Sequence, residues 1–166
     1  MTGVSVNWTT TTASADETRG LARQLAQCAE AGDVLWLSGD LGAGKTTFTQ
    51  GLGQGLGITV PVVSPTFVLI REYAGRLALK HIDLYRLENA RDISNLGLGD
   101  YLEGGGICVI EWAERMAGAE QQAGLHVRIE IEGESTRELR FTAAGERAGR
   151  LLDCLRNEEK SHAARN

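Results

Sequence analysis

Long apolar runs, closely spaced cysteine pairs and surplus positive charge are all missing from this sequence of 166 residues. No stretch approaches the roughly 20 apolar residues that a membrane-spanning helix needs, and no apolar segment of the secretory type heads the chain. A cytoplasmic protein without membrane association is therefore expected. Net charge is -5, which argues against a self-sufficient nucleic-acid binder, since that would need a basic face. RNA is left as the substrate of a larger assembly. Cys28, Cys108 and Cys154 are odd in number and far apart, with no C-x-x-C pair. Their spacing suggests neither a disulfide framework nor a zinc ribbon, and predicts three small apolar core residues. The N-K-x-D motif with which GTPases read their base is absent. So is the cluster of arginines expected of a kinase lid, since Arg86, Arg91 and Arg115 are scattered. Neither a composition shift nor an internal repeat divides the chain. With 42% hydrophobic and 23% charged residues, it suits a single globular domain over 1–156, followed by a polar, frayed tail over 157–166.

What is present centres on Gly39-Asp40-Leu41-Gly42-Ala43-Gly44-Lys45-Thr46. This stretch matches the phosphate-binding loop G-x-x-x-x-G-K-[ST] at every fixed position. An apolar run over 34–37 precedes it as a buried strand. A helical pattern follows, with Phe48, Leu52 and Leu56 recurring every four residues. The chemistry accounts for the residue types. Backbone N–H groups must converge on phosphate oxygens, and Gly42 and Gly44 keep the loop open and permit positive φ. The helix behind the loop adds the positive end of its dipole. Lys45 supplies charge for the β and γ phosphates and Thr46 a hydroxyl for Mg²⁺, while Thr47 is either a contact to the α-phosphate or a plain surface threonine. Asp40, Leu41 and Ala43 contribute loop backbone. Gly51, Gly53 and Gly55 each cost about 1 kcal/mol relative to alanine inside a helix. That helix needs packing, or bound phosphate, to be well ordered; Gly57 ends it.

The rest of the chain supplies acids. Residues 4–8 alternate as a first strand, and the threonines over 9–12 read as a loop. Ser14 and Glu17 form a capping box for a helix with Leu21, Ala22, Leu25 and Cys28 on one face, closed by Gly32. Ser64-Pro65-Thr66 lies one helix beyond the phosphate loop, where nucleotide switches sense the γ-phosphate and Mg²⁺. Ser64 or Thr66 can supply that hydroxyl, although by spacing alone a rigid proline turn is the better account of the segment. Residues 68–73 and 76–85 read as a hairpin whose second strand carries Leu77, Leu79, His81 and Asp83 on one face. Asp83 at its end is a natural Mg²⁺ ligand; His81 and Asp83 alone are too few for a transition-metal site. Short helical turns follow over 87–102, around Ile93, Leu96, Leu98 and Leu102. The apolar strand over 107–110 then runs straight into Glu111, the stronger of the two acids for holding Mg²⁺ or orienting water. Trp112 either stacks on a base, covers the site, or belongs to the core. Residues 125–132 and 137–143 form an antiparallel hairpin at the sheet edge, with Arg137 in reach of a phosphate or solvated. A last amphipathic helix holds Ala148, Leu151, Leu152 and Leu155.

Four blocks in this order resemble the TsaE (YjeE) family of small P-loop ATPases. They are the loop from Gly39 to Thr47, Ser64-Pro65-Thr66-Phe67, His81-Ile82-Asp83-Leu84-Tyr85-Arg86-Leu87, and Ile110-Glu111-Trp112. The loop alone is common to many NTPases, whereas the set of four is specific. The resemblance runs from the Glu17-Thr18 helix to the final hairpin. It implies an α/β P-loop NTPase fold: a mainly parallel sheet flanked by helices, with added antiparallel hairpins. It also implies ATP and Mg²⁺ as cofactors, slow hydrolysis, and support of TsaB and TsaD as partners in threonylcarbamoylation of the adenosine next to the tRNA anticodon, with tRNA met only through that complex. By the same resemblance Lys45 and Thr46 hold phosphates and Mg²⁺, Glu111 lies at the Mg²⁺ and γ-phosphate with Asp83 close by, and Ser64 to Thr66 form a first switch. After Leu87 the family usually reads Asp-Pro-Glu-Glu, where this chain has Glu88-Asn89-Ala90-Arg91-Asp92. A small-molecule kinase and a nucleotide-gated binding module share the same loop and remain alternatives.

Overall fold

Five consecutive residues with the buried pattern of a sheet interior, Val34–Ser38, make the strand from which the loop springs. A computed structural model describes residues 6–65, 69–87 and 97–166. In chain order its strands are β1 (Val6–Thr12), β2 (Val34–Ser38), β3 (Ile70–Tyr73), β4 (Leu79–Asp83), β5 (Ile107–Glu111), β6 (Gly124–Ile131) and β7 (Arg137–Ala144). They form one sheet in the order β1-β7-β6-β2-β5-β4-β3. The centre, β6-β2-β5-β4, is parallel. Antiparallel pairs flank it: β1 with β7 and β7 with β6 on one side, β3 with β4 on the other. The expected α/β architecture is therefore the one observed.

Register places the site. Leu37 of β2 and Asp83 of β4 both stand opposite Glu111 of β5. Three parallel strands thus end at one level, at the carboxyl edge where open α/β sheets bind ligands. Alternation then decides which side chains share a face. Leu35, Leu37, Leu79, Ile107 and Val109 join the larger core, beneath α1 (Ala15–Cys28) and α2 (Lys45–Gly55). Trp36, Ile82, Cys108 and Ile110 join a smaller core on the other face, with Leu98 of α3 (Leu98–Glu103). His81, Asp83 and Glu111 are in step with the first set, and so face α2.

The glycines of α2 have a packing reason. A Cβ on Gly51 would come within 2.4 Å of the Arg19 carbonyl oxygen, and one on Gly55 within 2.5 Å of the Ala26 Cβ. Bare backbone lets α1 press onto α2, which offsets the helix propensity that glycine forfeits. Gly57 ends α2 at a φ of 75°, as expected. The start of α1 also behaves as read, Ser14 Oγ accepting the Glu17 N–H at 3.1 Å, whereas its end is capped by Ala29 rather than closed by Gly32.

Five further expectations change. Residues 9–12 are not a loop but continue β1, pairing Thr9 with Arg140 and Thr12 with Arg137; β-branched threonine suits a pleated edge. This makes β1 the edge, so the β6–β7 hairpin lies inside the sheet. The β3–β4 hairpin is shorter than 68–85, because Arg76 turns its backbone N–H to the Leu56 carbonyl at 2.7 Å and leaves the ladder. Its expected start at Val68 lies outside the described residues, as do Ile93 and Leu96. The last helix, α4 (Glu146–Ala164), continues through most of the expected tail. Finally, Cys28 and Cys154 are not separate core residues but form a disulfide that joins α1 to α4. Their sequence separation of 126 carries no signal of that meeting; packing of α1 against α4 brings their Cα atoms to 5.9 Å. Cys108 is the buried free thiol that was expected, and burial pushes its pKa up to about 12, which leaves it inert.

Candidate active site

The loop between β2 and α2 turns on glycines. Gly39, Gly42 and Gly44 have φ of 147°, 81° and 113°, a region that side chains disfavour. Gly44 opens α2 without a side-chain cap, so the first N–H groups of that helix face the loop's concavity. The loop is braced from both sides. Glu114 Oε2 accepts the Gly39 N–H at 2.8 Å. Arg137 donates from Nε to the Ala43 carbonyl at 3.0 Å and from Nη2 to the Gly42 carbonyl at 3.4 Å. Arg137 therefore sits at the outer side of the loop, where its guanidinium ties the β6–β7 turn to the backbone of Gly42 and Ala43.

Lys45 is buried at the base of the loop. Its Nζ donates to the Gly39 carbonyl and, at 3.0 Å, to the Asp40 carbonyl. The same ammonium lies 3.7 Å from the centre of the Trp112 ring, a cation–π contact. Burial lowers its pKa below the ordinary lysine value, and Glu114, Glu111, Asp83 and Asp40 oppose that shift with their charges. A cation held by two carbonyls and a ring face is positioned at the loop without being neutralised by a single carboxylate.

The two acids meet the loop from the neighbouring strands. Glu111, 2% exposed, accepts the Thr46 hydroxyl on Oε1 at 3.0 Å. Its Oε2 meets His81 Nε2 and lies 3.3 Å from the Thr49 hydroxyl, which also reaches the Lys45 carbonyl at 3.0 Å. Asp83, 5% exposed, accepts the Ser64 hydroxyl on Oδ2 and the Tyr85 N–H on Oδ1, both at 2.8 Å. Ser64 is thereby brought to the site; Thr66 lies outside the described residues. Trp112 has a φ of 59°. Its ring packs at 4.8 Å against that of Tyr85, the two tilted by 40°, and the Arg115 guanidinium lies near both rings. Trp112 lines the cleft and also packs against the smaller core, which fits both the covering and the core alternatives left open for it.

These groups line a cleft of about 370 Å³, from Leu41 at the loop tip through Lys45, Thr46 and Glu111 to Asp83 and Trp112. A second hollow, of about 170 Å³, adjoins the outer side of the loop between Ala15 and Thr18 of α1 and Glu134, Ser135 and Arg137 of the hairpin. Thr47 lines both. Thr46, Asp83 and Glu111 are hard oxygen donors at one wall of the larger cleft, the donor set that suits Mg²⁺ rather than a soft metal.

Comparison with known proteins identifies the family. The model of the family described as "Threonylcarbamoyl adenosine biosynthesis protein TsaE" matches residues 12–139. The chain belongs to the TsaE family. A TsaE of Bacillus subtilis is 46% identical over 145 residues, covering 87% of this chain and 90% of that one. A TsaE of Treponema pallidum is 39% identical over 126 residues, 76% of this chain and 93% of the other. A crystal structure of Bacillus subtilis YdiB superposes with a TM-score of 0.79 at 40% identity, covering 95% of this chain and 99% of that chain. Family membership and fold thus rest on sequence and structure alike. No helix among the described residues is long and apolar enough to cross a membrane.

Three residues of this TsaE-family site escaped the sequence reading. Thr49 is one helical turn beyond Thr46, a spacing that puts both hydroxyls on one face of α2. His81 was weighed only as a metal ligand; strand alternation already placed it on the Asp83 face, but not beside Glu111, which lies on another strand. Glu114 carried no signal, because its contact with Gly39 spans 75 residues.

Proposed function

We propose that this chain binds ATP with Mg²⁺ on the Gly39–Thr47 loop and hydrolyses it slowly, in support of a TsaB–TsaD complex that threonylcarbamoylates the adenosine next to the tRNA anticodon. The observation that carries the nucleotide part is the convergence of Lys45, Thr46, Asp83 and Glu111 from three elements onto one cleft beside open helix N–H groups. Membership of the TsaE family supports the tRNA-modification part.

The residues divide the work as follows. Loop N–H groups and the amino end of α2 bind phosphate oxygens. Lys45 exchanges the Gly39 and Asp40 carbonyls for the β and γ phosphates, which the flexibility of its stem allows. Thr46, Glu111 and Asp83 would hold Mg²⁺, whose charge would offset that developing on the phosphates. Glu111 orients the attacking water and takes up its proton; Ser64 holds Asp83 in place and acts as the sensor of the γ-phosphate. Trp112 and Tyr85 roof the cleft and restrict water. Hydrolysis resets the partner complex rather than acting on RNA. A net charge of -5 fits a protein that meets tRNA only through its partners.

ATP hydrolysis by the purified chain, alone and then with TsaB, TsaD and unmodified tRNA, tests this. Slow turnover that changes with the pair, together with ATP-dependent complex formation, is expected. Transfer of phosphate to a small-molecule acceptor would replace this reading with a kinase. Nucleotide binding without turnover in any mixture would replace it with a binding module.

A further inference from the structure

Glu111 is held chiefly by a residue of the next strand. His81 stands opposite Val109 of β5, two positions before Asp83, so its ring is on the same sheet face as Glu111 and Asp83. It is fully buried at 0% exposure. One ring nitrogen, Nε2, meets Glu111 Oε2. The other, Nδ1, is buried with no hydrogen-bond partner among the described residues.

These contacts decide where the hydrogen is. Were Nε2 bare, its lone pair would face the lone pairs of a carboxylate, and a buried Nδ1–H would be stranded. With the hydrogen on Nε2, the ring donates to Glu111 and leaves only a lone pair unsatisfied, the lesser cost. An apolar side chain would fill this position in the sheet without that cost. The imidazole is therefore there for Glu111 rather than for the core.

We propose that His81 is the positioning residue of Glu111. Its Nε2–H ties down Oε2, assisted by Thr49, so that Oε1 alone is presented to the cleft beside Thr46. The side chain of Glu111 has three rotatable bonds, and a carboxylate free to turn would present its oxygens to the cleft only part of the time. The inference rests on the ATPase reading above and deepens it by adding a residue that acts through Glu111 without touching the nucleotide.

The test combines two variants with one spectrum. His81→Leu removes the donor and keeps comparable bulk; His81→Gln returns an amide N–H₂ near the place of Nε2. Affinity for a non-hydrolysable ATP analogue, by calorimetry, is expected to stay within about threefold in both. Turnover is expected to fall at least about tenfold in His81→Leu, and to recover most of that loss in His81→Gln. In a Glu111→Gln background, His81→Leu is expected to add less than about twofold, because the two residues act as a unit. In the wild-type apo protein labelled with ¹⁵N-histidine, the His81 hydrogen is expected on Nε2, protected from exchange, with Nδ1 bare. Wild-type turnover in His81→Leu overturns the inference. So does loss of binding and turnover together with no rescue by glutamine, and so does an Nε2 that carries no hydrogen. A wild-type chain with no ATPase activity overturns instead the reading beneath it.

Discussion

The β6–β7 hairpin and the carboxyl ends of β4 and β5 treat charge in opposite ways. On the hairpin, Arg128 pairs with Glu130 at 2.9 Å and Arg140 with Glu138 at 2.6 Å, both arginines more than half exposed. The Arg128 hydrogen bond holds the Glu130 carboxyl below its ordinary pKa, and the Glu138 hydrogen bond raises that of Arg140. These charges remain in water and lose little by being there. At the strand ends, Lys45, His81, Asp83 and Glu111 are each at most 5% exposed. Taking ions out of water costs several kcal/mol apiece, and their mutual attraction often repays no more than that. The antiparallel half of the sheet shows that this fold can keep its charges outside. That the parallel half buries four polar groups at one edge is therefore a property of the site, not of the architecture.

The largest expected effect comes from removing the buried cation. Lys45→Ala should weaken ATP binding by at least about a hundredfold in calorimetry, since charge-assisted contacts to phosphate are among the strongest available. Binding within tenfold of wild type would show that the loop backbone suffices and that the buried lysine has another use. Next comes Glu111→Gln, which keeps the shape of the side chain and its acceptor toward Thr46 but removes the charge. Turnover should fall by about 10²–10⁴-fold, the range for a lost general base, while ATP affinity changes only a few-fold. An unchanged rate would remove Glu111 from the mechanism.

Two further substitutions act away from the cleft. Cys28→Ser opens the tie between α1 and α4. A disulfide that closes so long a segment contributes on the order of 2–4 kcal/mol, through the unfolded chain in the entropic account. A lower urea midpoint with unchanged ATP affinity is expected; equal midpoints in oxidised and reduced wild type would count against any contribution. Asp33, just before β2, is a buried carboxylate. It accepts the Glu30 N–H at 2.8 Å and has Arg147 at 4.0 Å, yet burial dominates and raises its pKa. The folded protein thus keeps the proton to a higher pH than the unfolded chain does. Its stabilising contribution is complete below the unfolded value and is lost as pH rises through the folded one. Asp33→Asn should remove that decline, so that the Tm of the variant gains on wild type as pH rises from acid toward neutral. A gain that grows toward acid pH would reverse the sign and refute the assignment.

How far the sequence revealed this molecule follows from the range of each interaction. The phosphate loop was legible because its conformation is local: Gly42 and Gly44 hold positive φ within a few residues of Lys45. Asp83 and Glu111 were legible because an acid that ends an apolar strand is a pattern along the chain. That the two stand opposite each other depends on parallel pairing of β4 with β5, which periodicity does not encode. The same limit hid the His81–Glu111 contact, the Glu114 brace and the disulfide. The threonines over 9–12 failed for another reason. Their polarity suggested a loop, but an edge strand has one face in water and accepts such residues once β7 offers it a ladder. In α2 the glycines were read as a weakness to be repaired by packing, and the close approach of α1 is that packing.

The smallest expected effect is also the sharpest test of the contrast between the two regions. Arg140→Ala breaks the 2.6 Å pair with Glu138 on the open face of β7. If surface pairs on the hairpin contribute as little as solvated charges should, the Tm will match wild type within error, and added salt will move both proteins alike. ATP affinity should also be unchanged, since Arg137 rather than Arg140 braces the loop. A clear fall in Tm that disappears in high salt would mean that this ladder of charges, with Glu130 and Glu132 beside it, supports the sheet through the combined field of the group. The antiparallel half would then also depend on electrostatics, and burial alone would no longer mark out which charges serve the site.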